Sequence, residues 1–261
     1  MSVVTYAHRK GGLQTEAADY VNTVAHATAQ FERIPWVESV IICGSYAKGS
    51  LAPGWSDLDV VVVHEGGLTQ ERIAALQLTG PGRANPLVPV GLDVVSKPAL
   101  LRTRRVVGRP LAMTFELKRY AIAVYGENPF TDIPTHPGDT TQIQMESALL
   151  VRADANSYLR RLLNGYANET EQLFDAVKTL LRIAMFESSG LPYFGITVPD
   201  YCAAIRNETD DPVVVSALTA AETLRETWKT AQSAPNEYLA EYDTISKALL
   251  HYSEAWDPLW K

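Results

Sequence analysis

Apolar and polar positions follow two different periods along this chain of 261 residues, and the change comes near its middle. In the first half the apolar runs are short and bounded by turn residues. Glu16 to Phe31 carries Ala17, Val21, Val24 and Ala25 at helical spacing, which predicts a helix with those four on one face. Val37 to Cys43 is strand-like around Val40-Ile41-Ile42, and Leu58 to Val63 is a β-branched run. Gln70 to Leu78 has a short helical pattern, and Val88 to Val95 reads as a further strand that carries Asp93 inside its apolar stretch. Pro98 suits the first residue of a following helix, where its missing N–H would be unpaired in any case. A small mixed sheet with helices is expected.

Pro134, Pro137 and Gly138 then interrupt the pattern, and the helical period takes over. Leu173, Phe174, Val177, Leu180, Leu181, Ala184 and Met185 mark the clearest helix, with Asn168 and Glu171 placed to cap it. Asp139 to Leu163, Val198 to Ile205, Val213 to Trp228 and Tyr238 to Trp256 also read as helices, joined by Gly- and Pro-bearing turns. The expected fold class is therefore α+β: a mixed-sheet domain over residues 1–135, followed by an all-α helical bundle over residues 136–261.

Composition narrows the function. With 46% hydrophobic and 20% charged residues the chain is globular, and its net charge of -7 disfavours a polycation that coats nucleic acid. Basic and acidic side chains balance at 13 each up to residue 140, whereas 10 basic and 17 acidic ones follow, so the whole net charge sits in the second half. Two differently tasked halves are expected. No apolar run approaches the ~20 residues of a membrane span, and the first twenty residues lack a signal-peptide core, so the expected location is cytoplasmic. Cys43 and Cys202 stand far apart in apolar company and suggest neither a disulfide nor a Cys-based zinc site.

The chemistry concentrates in residues 41–63. A strand ends in Gly44-Ser45 and is followed by small residues that can open a short helix, leaving backbone N–H groups and a hydroxyl free for phosphate. Asp57 and Asp59 are two apart at the start of an apolar strand, so both carboxylates fall on one face with Leu58 on the other. Asp93, from a second apolar strand, can add a third. Converging carboxylates repel one another and are costly to desolvate unless a cation joins them. Mg²⁺ suits a few carboxylates combined with phosphate oxygens, and two such ions ~4 Å apart can hold both the attacking and the leaving oxygen of a phosphoryl displacement. A nucleoside triphosphate with metal is the ligand implied by both features.

Gly44-Ser45, eleven intervening residues, Asp57-x-Asp59 and the later strand residue Asp93 resemble the signature of the DNA polymerase β-type nucleotidyltransferase superfamily. The resemblance covers residues 41–95. A small catalytic domain followed by an acidic helical bundle is most similar to the bacterial antibiotic nucleotidyltransferases, notably the aminoglycoside adenylyltransferases. That resemblance implies that Gly44 and Ser45 bind the triphosphate and that Asp57 and Asp59 hold both of two Mg²⁺ ions. It further implies that Asp93 ligates one metal and accepts the proton of the attacking hydroxyl, a position at which some antibiotic-modifying members carry Glu. The implied reaction transfers AMP from ATP to a hydroxyl of a small cationic acceptor and releases pyrophosphate.

An acidic second half would draw a polyamine into a cleft between the two halves, with Glu116, Glu146 and Asp175 as candidate carboxylates. Lys178 and Arg182 are four apart on the clearest helix and can reach the triphosphate from the second domain, or can pair with Asp175 and Glu171 on a solvated face. Arg102, Arg104, Arg105 and Arg109 form a basic cluster after the Asp93 strand, which reads as solvated surface ahead of a phosphate or RNA grip. His8, His26, His64, His136 and His251 have no ligand spacing, and the pairs Tyr193-Phe194 and Trp256 with Trp260 read as packing. Two alternatives keep the scaffold: a toxin–antitoxin type transferase acting on a protein or a tRNA, and a catalytically silent nucleotide-binding regulator.

Overall fold

The computed structural model describes residues 15–79, 88–106, 108–189 and 197–254. Tyr193, Phe194, Trp256 and Trp260 lie outside the described residues. Those described fall into two compact units, one up to His136 and one from Pro137 onward.

The first unit runs α1 (Ala17–Phe31), β1 (Val37–Cys43), α2 (Gly44–Ala47), β2 (Leu58–His64), α3 (Gln70–Thr79), β3 (Val90–Ser96), α4 (Lys97–Thr103), α5 (Leu111–Tyr120) and β4 (Ile122–Tyr125). Its four strands form one mixed sheet in the order β3-β2-β1-β4. β1 lies antiparallel to both β2 and β4, while β2 and β3 run parallel, so their connection must cross over and carries α3. Both sheet faces are covered, which is why β2 is an unbroken run of apolar residues rather than an alternating one. On one face Val40, Ile42, Leu58, Val60 and Val62 pack with Tyr20, Ala27 and Phe31 of α1. On the other, Ile41, Cys43, Val61, Val63 and Val95 pack with Leu100 of α4, Leu117 of α5, Phe130 and Ile133.

The buried face of α1 differs from the one that Ala17, Val21, Val24 and Ala25 share. Tyr20, Thr23, Ala27 and Phe31 point into the core with Val24 partly buried beside them, whereas Val21 is 56% exposed and Ala17 and Ala25 face solvent. Both stripes have helical spacing, and area decides between them: Tyr20 and Phe31 remove far more apolar surface from water than two alanines and a valine, at about 2 kcal/mol or more for each large side chain. Tyr20 then tethers the loop before β2, its hydroxyl donating to the Ser56 carbonyl at 2.6 Å. α5 and β4 have no clear signal in the sequence. α5 interleaves Thr114, Glu116 and Lys118 with its apolar positions, and β4 is a four-residue edge strand with Ile122 45% exposed.

The second unit contains α6 (Asp139–Asn164), α7 (Glu169–Ser189), α8 (Val198–Glu208), α9 (Pro212–Glu226), α10 (Trp228–Ala231) and α11 (Leu239–Glu254). The expected helix over residues 213–228 stops at Glu226. Thr227 leaves helical geometry while its hydroxyl donates back to the Thr223 carbonyl at 2.8 Å, and a new turn starts at Trp228. α7 is the central helix, packed against α6, α8, α9 and α11. Leu173, Val177, Leu180, Ile183 and Ala184 are all buried, and Asn168 Oδ1 accepts from the Glu171 N–H at 2.9 Å as the sequence predicted. Among the described residues no helix is long and apolar enough to cross a membrane.

Candidate active site

The end of β1, the start of β2 and the middle of β3 meet at one edge of the sheet. Cys43 is opposite Asp59 in the antiparallel ladder, and Asp59 is opposite Gly91 in the parallel one. Asp93, two residues beyond Gly91 and paired with Val61, therefore shares a sheet face with Asp59. This is also the face of Ile41, Val61 and Val95, so the carboxylates terminate an apolar layer. Asp57 precedes β2 by one residue, and Leu58 between the two acids is fully buried on the opposite face.

Local structure holds these groups in place. Gly44 opens the one-turn helix α2 at φ +67°, and a Cβ there would collide with Asp59 Oδ2. A Cβ on Gly91 would stand 3.0 Å from Asp59 Oδ1. Two glycines thus flank the carboxylate, and any side chain at either position would crowd it. Beyond α2 the Ser50 N–H donates to the Ser45 carbonyl at 2.9 Å, closing the turn on itself. Ser56, 5% exposed, accepts from the Ala52 N–H through Oγ at 3.0 Å, and the Leu58 N–H reaches the Pro89 carbonyl at 2.8 Å. These bonds fix the loop that delivers Asp57.

The electrostatics confirm how densely the acids gather. The Cys43 thiol is pushed well up, first by burial and then by the charges of Asp59, Glu116 and Asp93, with Lys48 opposing them. Cations stand beside Glu116 and Asp93. Lys48 Nζ lies 3.0 Å from Glu116 Oε1, both side chains being largely buried. Arg109 donates to Asp93 Oδ1 from Nη2 at 3.0 Å and from Nε at 3.3 Å. Its guanidinium is held firmly charged: burial acts against the charge, but the hydrogen bond to Asp93 and the nearby charges of Asp93 and Asp59 outweigh it. Sequence reasoning placed Arg109 within a solvated cluster and gave Lys48 no role. Only the docking of the segment around α5 brings either one to the acids.

Of the other residues named from the sequence, Lys178 and Arg182 lie on α7 in the second unit. Arg182 Nε pairs with Asp154 Oδ2 at 3.0 Å and its guanidinium lies over the Phe186 ring, while the Lys178 ammonium lies over Phe174. Asp175, the expected partner, is taken by Arg161 Nε at 2.7 Å and the Tyr166 hydroxyl at 2.5 Å. Arg104 donates from Nε to the Pro134 carbonyl at 3.1 Å.

The donor set fits a divalent cation. Asp59 presents both oxygens into space cleared by two glycines, and all the candidate ligands are hard carboxylate oxygens, as Mg²⁺ prefers. Among the described residues no group of three His, Cys, Asp or Glu side chains is placed to hold a metal ion by itself. An Mg²⁺ held by one or two carboxylates and completed by substrate phosphates needs none.

Residues 27–104, which include Gly44, Asp57, Asp59 and Asp93, match the family model described as "Nucleotidyltransferase domain". This domain match supports a transferase enzyme. Its fold is similar to that of the spectinomycin adenyltransferase AAD(9) from Enterococcus faecialis, whose crystal structure holds ATP and spectinomycin. The likeness covers 94% of this chain and 100% of that one, with a TM-score of 0.59 and 16% sequence identity. No curated protein matches the chain at the sequence level.

Proposed function

We propose that the protein is an ATP- and divalent metal-dependent adenylyltransferase that modifies a hydroxyl of a small cationic antibiotic such as an aminoglycoside. The single observation that carries this reading is the shared face of Asp59 and Asp93 beside the Gly44 turn, a hard-oxygen site adjoining a place where backbone can approach phosphate closely. The solved relative binds ATP and spectinomycin, which supports a nucleotide donor and a small-molecule acceptor. The acidic second half, with 17 acidic against 10 basic side chains after residue 140, favours a cationic acceptor over RNA.

In this reading Gly44 and Ser45 receive the triphosphate, while Asp57, Asp59 and Asp93 are the metal ligands. Bound metal would neutralise negative charge developing on the phosphate oxygens. The acceptor oxygen attacks the α-phosphorus, the bond from that phosphorus to the bridging oxygen breaks, and pyrophosphate leaves with the electron pair. The acceptor proton passes to Asp93. Arg109 ends on Oδ1, and among the described residues no donor ends on Oδ2, so Oδ2 is the oxygen that takes the proton. Asp93 thus acts as general base and the rest of the site positions the reactants.

Pyrophosphate release by the purified protein, with Mg²⁺ and each nucleoside triphosphate over a panel of aminoglycosides, spectinomycin, lincosamides and bulk tRNA, tests the proposal. Release that requires ATP, one cationic antibiotic and Asp93 is expected. Release with tRNA alone, or silence across the panel with nucleotide binding intact, would overturn it.

A further inference from the structure

We propose that Arg109 is the resident counter-cation of the carboxylate face: it holds the Asp93 oxygen that a divalent metal would take, and metal binding displaces it. This role presupposes the metal–nucleotide reading of the site. Asp59 and Asp93 share one face, and Glu116 nearby has Lys48 at 3.0 Å. Arg109 is the cation hydrogen-bonded to Asp93. Its two donors converge on one oxygen, Oδ1, instead of forking across both. A guanidinium bound side-on to a single oxygen occupies that carboxylate as a monodentate metal would, and leaves the other oxygen to the acceptor.

The backbone delivers this contact. Val106, 2% exposed, is locked in the apolar layer under the sheet, and the Arg109 N–H donates to its carbonyl at 3.0 Å. Gly108 turns the chain at φ +77°, and α5 begins two residues after Arg109 at the buried Leu111. The anchor points on both sides are therefore fixed, while the arginine side chain itself remains 46% exposed. Such a group can compensate partly buried acids and still leave for water without stranding its own charge, because partly exposed ion pairs are weakly held. A divalent ion brings twice the charge to the same oxygens. Removing the positive charge at residue 109 should therefore strengthen metal binding, which loss of a purely structural residue would not do.

Mn²⁺ binding to the full chain without nucleotide, followed by calorimetry or by the electron paramagnetic resonance of free Mn²⁺, reads this directly. Arg109→Ala and Arg109→Gln are each expected to bind Mn²⁺ roughly three- to tenfold more tightly than the wild type, the scale of one partly exposed charge-assisted hydrogen bond. Arg109→Lys should stay near the wild type. The gain should vanish when Asp93→Asn is added to Arg109→Gln. Equal or weaker Mn²⁺ binding in a folded Arg109→Gln protein would overturn the role, as would a gain that persists without Asp93. Arg109→Gln keeps polar donors near the same place, so it serves if the alanine variant does not fold. Failure of the transferase reading is separable: no pyrophosphate release by the wild type on any acceptor, with the Mn²⁺ gain intact, would overturn that reading alone.

Discussion

Gly91 stands so close beside Asp59 across the parallel ladder that a methyl group on it would lie 3.0 Å from Oδ1. The opposite oxygen is bounded in the same way by Gly44. The Asp59 carboxylate is thus seated between two positions from which side chains are missing. Gly91→Ala should push Asp59 by a few tenths of an ångström and reduce turnover roughly tenfold, with thermal stability little changed. Gly44→Ala should be more severe, because it adds the strain of a left-handed backbone to the collision. Pyrophosphate release set against melting temperature checks both; a Gly91→Ala enzyme of wild-type rate would mean that Asp59 has slack.

Asp93→Asn should lower kcat by roughly a hundredfold or more while nucleotide binding stays within about threefold of the wild type. Asp57→Asn and Asp59→Asn should weaken metal–nucleotide binding as well. Fluorescent ATP binding measured beside turnover separates these two patterns.

Glu187 is 4% exposed and its Oε2 accepts from the Tyr252 hydroxyl at 2.8 Å. Burial pushes its carboxyl from the ordinary 4.5 up to about 7, against the lowering effect of that hydrogen bond. Between those values the folded state binds more protons than the unfolded one, so stability falls as pH rises through this window and levels off above about 7. The full effect is at most about 3 kcal/mol. Glu187→Gln should flatten the slope and leave the protein more stable than the wild type at pH 8. Urea unfolding at pH 5.5, 6.5 and 8 is the measurement.

Trp228 is 2% exposed and meets Phe174 edge-on with ring centroids 5.3 Å apart. Trp228→Ala should destabilise by about 3–5 kcal/mol through the cavity it opens against α7, and Trp228→Phe by clearly less. Denaturant midpoints of the two variants compare them.

Much of the candidate site's layout was legible because it is written in short spacings. Asp57 and Asp59 two apart, Gly44-Ser45 at a strand end and Asp93 inside an apolar run each depend on local periodicity, which the chain carries in linear order. The mixed sheet and the helical second half follow from the same periods. Less was legible wherever two patterns competed. Val21 and Tyr20 both belong to helical stripes of α1, and only packing against β1 and β2 shows that Tyr20 and Phe31 face inward.

The sequence by itself determined most of the strands and helices, α5 and β4 excepted, and where the acids enter the sheet, since those depend on neighbours within a few positions. Tertiary structure alone decided the counter-ions. Arg102, Arg104, Arg105 and Arg109 are chemically alike along the chain, and it is the Val106–Leu111 turn that selects Arg109 for Asp93, sixteen residues away. Lys48 finds Glu116 only because α5 docks on the sheet, and Arg182 finds Asp154 from α6 instead of an acid on its own helix. Charge partners in a folded chain are chosen by proximity in space and by burial, and neither has a signature in local order.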